Sequence, residues 1–216
     1  MSAKKFDRSL LPSAPDFSFE SALWAQGVNV VAGIDEAGRG ALAGPVAAAA
    51  IIFPPEPSIC LALAGVRDSK LMSPAQREEW ASRLPGLALA YAVGYASNLE
   101  IDALGILPAT CLAVERALAG LAQTPQHLLI DYLVLPGCPT PQTPLVKGDA
   151  RSLSIAAASI LAKVARDDCL RQLDTAFPGY GFARHKGYGT AAHRKALSDL
   201  GPSPVHRRSF RLSKNR

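Results

Sequence analysis

A chain of 216 residues, 49% hydrophobic and 19% charged, is long enough to bury a sizeable core and reads as one folded domain with room for a small appendage. That balance excludes a disordered polyelectrolyte. No apolar run approaches the ~18 residues of a membrane helix: the longest, Ala41 to Phe53, spans 13 residues and contains Gly44 and Pro45. The net charge of +5 is uneven, with 10 Lys/Arg against 14 Asp/Glu in residues 1–150 and 13 against 4 in residues 151–216. Acidic chemistry beside a surface for a polyanion would give this asymmetry, and so would a solubilising basic face; charge alone leaves both open. Cys60, Cys111, Cys138 and Cys169 form no CxxC pair or Cys–His cluster, and the N-terminus lacks a hydrophobic signal core. Both features lead us to expect a cytoplasmic protein with reduced thiols and no membrane association.

In chain order, residues 1–27 read as a lead-in in which Phe17, Phe19, Leu23 and Trp24 can pack a short helix. Val28 to Asp35 is β-branched and apolar, which predicts a buried strand. A glycine-rich turn and a second strand near Ala43–Phe53 follow, closed by Pro54 and Pro55. Ser73 as N-cap, Pro74 at the first helical position and Gln76 as the capping-box partner predict a helix to about Leu84. Leu87–Ser97 reads as a third strand, Leu99–Leu104 and Pro108–Ala122 as helices, and His127–Asp131 as a short strand ending in a carboxylate. Leu135 to Pro144 holds four prolines and reads as an irregular loop. Ser154–Leu173, alanine-rich and free of Gly and Pro, is the strongest helix. A shorter helix over Ala191–Leu200 precedes a basic tail. Strands with helices between and after them indicate an α/β architecture.

Four acids stand where strands end or loops begin: Asp35 and Glu36, Asp131, and Asp149. Carboxylates at strand ends lie exposed at a sheet edge, where they can converge on a hard cation that relieves their repulsion. Successive strand residues point to opposite faces, so Asp35 and Glu36 share a site only if the strand breaks at Glu36; Gly38 and Gly40 permit that break. Taken singly, each acid is more often an ordinary cap or turn residue.

The pattern around them is more specific. GIDEAGRGALAGPV, DSK at 68–70, KGDARSLSIAAASILAKVARD at 147–167, YGFARHKGYGT at 180–190 and GPSPVHRRSF at 201–210 resemble the ribonuclease HII family, in that family's order. The resemblance implies a ribonuclease H-like fold: a mixed five-stranded sheet flanked by helices over 28–190, with a small helical, basic C-terminal extension over 191–216. It implies that Asp35, Glu36, Asp131 and Asp149 form an acidic tetrad holding two Mg²⁺ or Mn²⁺ ions. The activity implied is cleavage of the RNA strand of RNA–DNA hybrids, and nicking 5′ of ribonucleotides embedded in duplex DNA, with 5′-phosphate and 3′-hydroxyl ends.

Gly38-Arg39-Gly40 resembles the loop whose backbone approaches the minor groove and reads the 2′-hydroxyl. Tyr188 resembles the tyrosine that packs on the sugar beside the ribonucleotide. Arg39, Lys70, Lys147, His185 and Lys186 are candidate phosphate contacts, with Arg207 and Arg208 as additions. Ser154–Leu173 is expected to support Asp149 rather than touch substrate. The chain departs from the family at Tyr132, where bacterial members commonly carry glycine or another small residue, and this bears on the shape of the loop after Asp131.

Only 34 residues precede Asp35, too few for the substrate-binding domain of ribonuclease HIII, so that relative is set aside. A monomer is expected, and whether a sliding clamp or polymerase recruits it stays open. A non-catalytic hybrid-binding module is the alternative from another class, though a pure binder gains nothing from clustering anions near phosphate.

Overall fold

The computed structural model describes residues 11–56 and 58–212. Its elements run α1 (Ser18–Trp24), β1 (Val31–Ala37), β2 (Val46–Ile52), α2 (Ile59–Ala62), a 3₁₀ turn (Ser69–Leu71), α3 (Pro74–Leu87), β3 (Ala90–Ala96), α4 (Asn98–Leu104), α5 (Ile106–Ala119), β4 (His127–Asp131), β5 (Gln142–Leu145), a second 3₁₀ turn (Gly148–Ala150), α6 (Leu153–Ala176), α7 (Phe182–His185) and α8 (Ala191–Leu200). The strands form one mixed five-stranded sheet in the order β3-β2-β1-β4-β5. The described residues fall into two compact units. One comprises the segments up to Asp35, Ala49–Ala92 and Leu121–Ile160; the other comprises Glu36–Ala48, Val93–Gly120 and Leu161 onward.

The central strands are apolar where they are shielded from water: every residue of β2 is buried, as are Val31 to Asp35 of β1. Gly33 of β1 explains how α6 reaches the sheet. A Cβ there would lie 2.3 Å from the Cβ and carbonyl carbon of Ser154, so only glycine admits the start of that helix. The small residues of α6 behave as expected, Ala156, Ala157, Ala158, Ser159 and Ala162 all being buried.

The capping box of α3 is present, Ser73 Oγ accepting from the Gln76 N–H and Gln76 Oε1 from the Ser73 N–H. The helices over 98–104, 106–119 and 191–200 lie within two to three residues of their predicted bounds. The first strand is displaced, beginning at Val31 and running through Ala37.

One element contradicts the sequence reading. Residues 142–145, assigned to an irregular loop, form β5, parallel to β4 with Pro144 opposite Ile130. β5 is the edge of the sheet, where a strand has one side without a partner and a missing N–H is tolerated.

The lead-in also does more than pack. Glu20 of α1 is fully buried, its Oε1 accepting from the Ser152 hydroxyl (2.6 Å) and the Ser154 N–H (3.1 Å). It thereby caps the N-terminus of α6, four residues beyond Asp149. Burial pushes the Glu20 carboxyl above its ordinary value, against the lowering effect of these bonds.

Candidate active site

Two parallel strands bring the first carboxylates together. β1 and β4 pair with Ile34 opposite Ile130, so Asp35 and Asp131, each one residue further on, stand side by side on one face. The third comes from the chain beyond β5. Lys147 turns into the left-handed region (φ +58°), and the Gly148 N–H then donates to Asp131 Oδ1 at 2.7 Å. A Cβ on Gly148 would meet Ile155 Cδ1 at 2.7 Å and Asp131 Oδ1 at 3.3 Å, so the approach favours glycine. The result is one oxygen each from Asp35, Asp131 and Asp149, all within 4.8 Å of one another. Asp35 and Asp149 are buried and Asp131 is half-buried.

Three carboxylates this close repel, and burial deepens the repulsion. Lys70 offsets part of it. Lys70 Nζ donates to Asp149 Oδ2 at 2.8 Å and lies 3.7 Å from Asp68. Burial works to lower the Lys70 pKa, but Asp149, Asp35 and Asp68 outweigh it and raise the value, so the ammonium stays charged. The 3₁₀ turn that carries Lys70 is capped by Asp68, which accepts from the Lys70 N–H. It is tied to α6 by a buried 2.7 Å bond between the Ser69 and Ser159 hydroxyls. The other Asp149 oxygen, Oδ1, is buried with no hydrogen-bond partner among the described residues. An unpartnered buried carboxylate oxygen beside two further carboxylates, with no sulfur or imidazole, is a donor set that fits a hard divalent cation.

Glu36, the next residue on β1, is not one of the three converging carboxylates; its Oε1 accepts from Arg39 Nη1 at 3.2 Å. Beyond it the Gly38-Arg39-Gly40 loop lies against one buried arginine, Arg166, and is bonded by a second, Arg207. A Cβ on Gly38 (φ +95°) would lie 1.9 Å from Arg166 Nε. Arg166 donates to the carbonyls of Pro45, Lys186 and Ala43, and Arg207 to those of Gly44, Arg39 and Pro45. Both guanidiniums are fully buried, and burial lowers the pKa of each. Gly40 differs from Gly38: it is exposed, and a Cβ there would meet nothing within 4 Å.

The expectation that Arg207 meets phosphate is overturned, since it is fully buried with Nε, Nη1 and Nη2 each donating to a backbone carbonyl; Arg208 is exposed. His185 is also turned inward, with Nδ1 accepting from the Gly187 N–H and Nε2 donating to the Tyr180 carbonyl. Lys147 is exposed, and half-buried Lys186 donates to the Ala183 carbonyl at 2.6 Å. Tyr188 is half-buried, its ring centroid 5.4 Å from Arg166 Cζ and 5.8 Å from Lys163 Nζ. Tyr132 is 70% exposed and sits in the left-handed region (φ +51°), where glycine is favoured.

Sequence reasoning passed over Arg166, Glu20 and Gly33. Arg166 had a signal: Ser159, Ala162, Arg166 and Leu170 share one stripe of α6 at helical spacing, and all four are buried.

Comparison with known proteins agrees with this arrangement. A family model for ribonuclease HII matches residues 32–213. The ribonuclease HII of Moorella thermoacetica is 54% identical over 195 residues, covering 90% of this chain and 93% of its own. A ribonuclease HII of Thermus thermophilus is 52% identical over 191 residues, covering 88% and 90%. Among solved structures, the ribonuclease H2 of Pyrococcus horikoshii superposes with a TM-score of 0.68 at 28% identity, covering 85% of this chain and 95% of its own. The ribonuclease HII of Archaeoglobus fulgidus, solved as a complex with PCNA, gives 0.70 at 25% identity, covering 87% and 98%. No described helix is long and apolar enough to cross a membrane. Matched from end to end of its core and about half identical to curated relatives, the chain belongs to the ribonuclease HII family and is thereby a ribonuclease H, an endonuclease of the hydrolase class.

Proposed function

We propose that this chain hydrolyses the RNA strand of RNA–DNA hybrids and nicks 5′ of single ribonucleotides in duplex DNA, leaving 5′-phosphate and 3′-hydroxyl ends. The observation that carries the proposal is the convergence of Asp35, Asp131 and Asp149, with Asp149 Oδ1 buried and unpartnered. These three residues would hold two Mg²⁺ or Mn²⁺ ions, joined by Glu36 only if β1, which runs unbroken through Ala37, opens at that residue. The chemistry such ions supply when bound is activation of a water and stabilisation of the leaving 3′-oxygen during in-line attack on phosphorus.

The remaining roles belong to the chain. Arg39, Lys70, Lys147 and Lys186 would meet backbone phosphates and supply affinity without reading sequence. The Gly38–Gly40 backbone would read the 2′-hydroxyl, which both donates and accepts hydrogen bonds. Gly40 supports this reading, because nothing within the described protein requires it to lack a side chain. Tyr188 would pack on the sugar beside the ribonucleotide. A cytoplasmic enzyme is supported by four cysteines that are all free thiols, and the Archaeoglobus relative makes a sliding clamp a candidate partner of what we take to be a monomer.

The test is cleavage of a labelled duplex containing one ribonucleotide, with Mg²⁺, Mn²⁺ or EDTA. A metal-dependent nick 5′ to the ribonucleotide, absent from all-DNA duplex and abolished in folded Asp35→Asn, is the expected result. Metal-independent binding without cleavage would instead favour a hybrid-binding module.

A further inference from the structure

Beneath the loop that carries Tyr188 lie three buried histidines. The rings of His185 and His193 stack with centroids 4.2 Å apart, the His206 ring lies 5.2 Å from His193, and Phe182 packs against all three. His193 and His206 are essentially without solvent exposure. Their four ring nitrogens are all engaged, and the partners at the two ends of the pair dictate where each proton sits.

At one end His193 Nδ1 lies 3.0 Å from the Tyr188 carbonyl oxygen, which can only accept, so Nδ1 carries the hydrogen. A neutral His193 then has a bare Nε2. At the other end the Ser203 N–H points at His206 Nδ1 at 2.9 Å, so that nitrogen accepts and His206 is protonated on Nε2. The two inner nitrogens, 3.0 Å apart, are therefore a donor on His206 and an acceptor on His193. Deduced independently from the two ends, the tautomers agree. A one-way chain runs from the Ser203 N–H through both imidazoles to the Tyr188 carbonyl.

The Tyr188 backbone is fixed from other sides as well. Its carbonyl also accepts from the Thr190 N–H, its N–H donates to the His185 carbonyl, and the neighbouring Lys186 and Gly187 carbonyls accept from Arg166 and the Leu42 N–H. The ring itself lies over Arg166 and Lys163 of α6. Arg166 thus serves both the ring and the neighbouring backbone, whereas the histidine chain acts on the backbone alone and reaches in from α8 and the 203–206 segment.

We propose that His193 and His206, with Ser203, are positioning residues for Tyr188: their directional hydrogen-bond chain sets the Tyr188 backbone and so the placement of its ring against the sugar at an RNA–DNA junction. The proposal rests on the reading of Tyr188 given under Proposed function. Both histidines are buried, so they act through the Tyr188 backbone. Both must be neutral, because a second ring proton on either would point N–H at N–H along the chain. The titratable groups facing them are His185, stacked on His193, and Tyr180, whose ring lies 5.0 Å from His206.

The experiment has two arms on the full-length protein. Long-range ¹⁵N–¹H correlation at neutral pH reads the tautomers directly, with His193 expected as Nδ1–H and His206 as Nε2–H. In the kinetic arm, kcat/KM is measured on a duplex with one embedded ribonucleotide and on a continuous hybrid, for the wild type, His193→Leu, His193→Asn and Tyr188→Ala. His193→Leu should lose about tenfold on the embedded ribonucleotide, the equivalent of one hydrogen bond, with a much smaller loss on the hybrid. His193→Asn, whose amide N–H can take the place of Nδ1–H, should recover most of it. Wild-type His193 found as Nε2–H overturns the chain whatever the variants do, including a His193→Leu that fails to fold. Expected tautomers with equal losses of His193→Leu on both substrates overturn the positioning role. If Tyr188→Ala itself fails to discriminate the substrates while the tautomers are as expected, it is the junction reading of Tyr188 that falls, and the functional half of this proposal with it.

Discussion

Acidification offers a measurable consequence of burying neutral histidines. Burial, with the neighbouring rings of His185 and His206, pushes His193 down to about 4 from an ordinary 6.5, against a raising effect of the Tyr188 carbonyl. The folded value of this base lies below the unfolded one. Its contribution is therefore intact above pH 6.5, and stability is lost as pH falls from there towards 4, where only the unfolded chain takes up the proton. For these two values, linkage gives a loss of about 2 kcal/mol by pH 5 and about 3 kcal/mol by pH 4. His206 and His127, also lowered chiefly by burial, act in the same direction. Glu20 acts oppositely: its raised value makes folding more favourable as pH falls towards 4.5. The raw pH profile therefore mixes several groups, and the comparison that isolates His193 is between proteins. Urea unfolding at pH 7.5 and pH 5, performed on the wild type and on His193→Asn, should show a wild-type loss larger by about 2 kcal/mol. Parallel losses in the two proteins would refute the assignment of His193 as a buried neutral ring.

Further outcomes follow from other parts of the molecule. Arg207→Met removes three charge-assisted bonds to loop carbonyls worth roughly 1.5–3 kcal/mol each, offset by the several kcal/mol that burying a guanidinium costs. A net destabilisation of about 2–4 kcal/mol is expected in urea unfolding, and a neutral result would contradict the clamp. Lys70 competes with a divalent ion for Asp149, but its side chain is 72% exposed, so the ion pair is screened to roughly 0.2–1 kcal/mol. Lys70→Met should accordingly tighten Mn²⁺ binding up to about fivefold by titration calorimetry, even as cleavage weakens; an unchanged affinity would disprove the competition. Tyr132→Gly relieves a left-handed residue at the expense of unfolded-state entropy, so stability should stay within about 1 kcal/mol and hybrid cleavage should persist. A tenfold loss of cleavage in that variant would place the Tyr132 ring against substrate.

Much of this protein was legible in one dimension because its signals are local. Capping chemistry at Ser73 and Gln76, the alanine-rich face of α6 and the apolar run leading to Asp35 depend on neighbours a few residues away. The four acids and the family motifs could be read in order along the chain, and with them the expectation of a metal-dependent nuclease. What the sequence could not decide was which polar groups face inward. Arg207 and His185 sit in a basic, motif-bearing stretch and looked like phosphate contacts, yet both are buried and satisfied by backbone groups, some of them far away in sequence. Nor did composition distinguish β5 from a loop, because only its place at the sheet edge makes Pro144 tolerable there. Tertiary structure alone brought Asp149 to Asp35 and Asp131. That convergence depends on the parallel register of β1 and β4 and on a glycine at 148 small enough to let the chain return against Asp131. Periodicity reports what a residue's neighbours along one element will bury. Whether a charge finds its partners inside the fold is settled by groups brought together over a hundred residues of chain, and no local pattern encodes that distance.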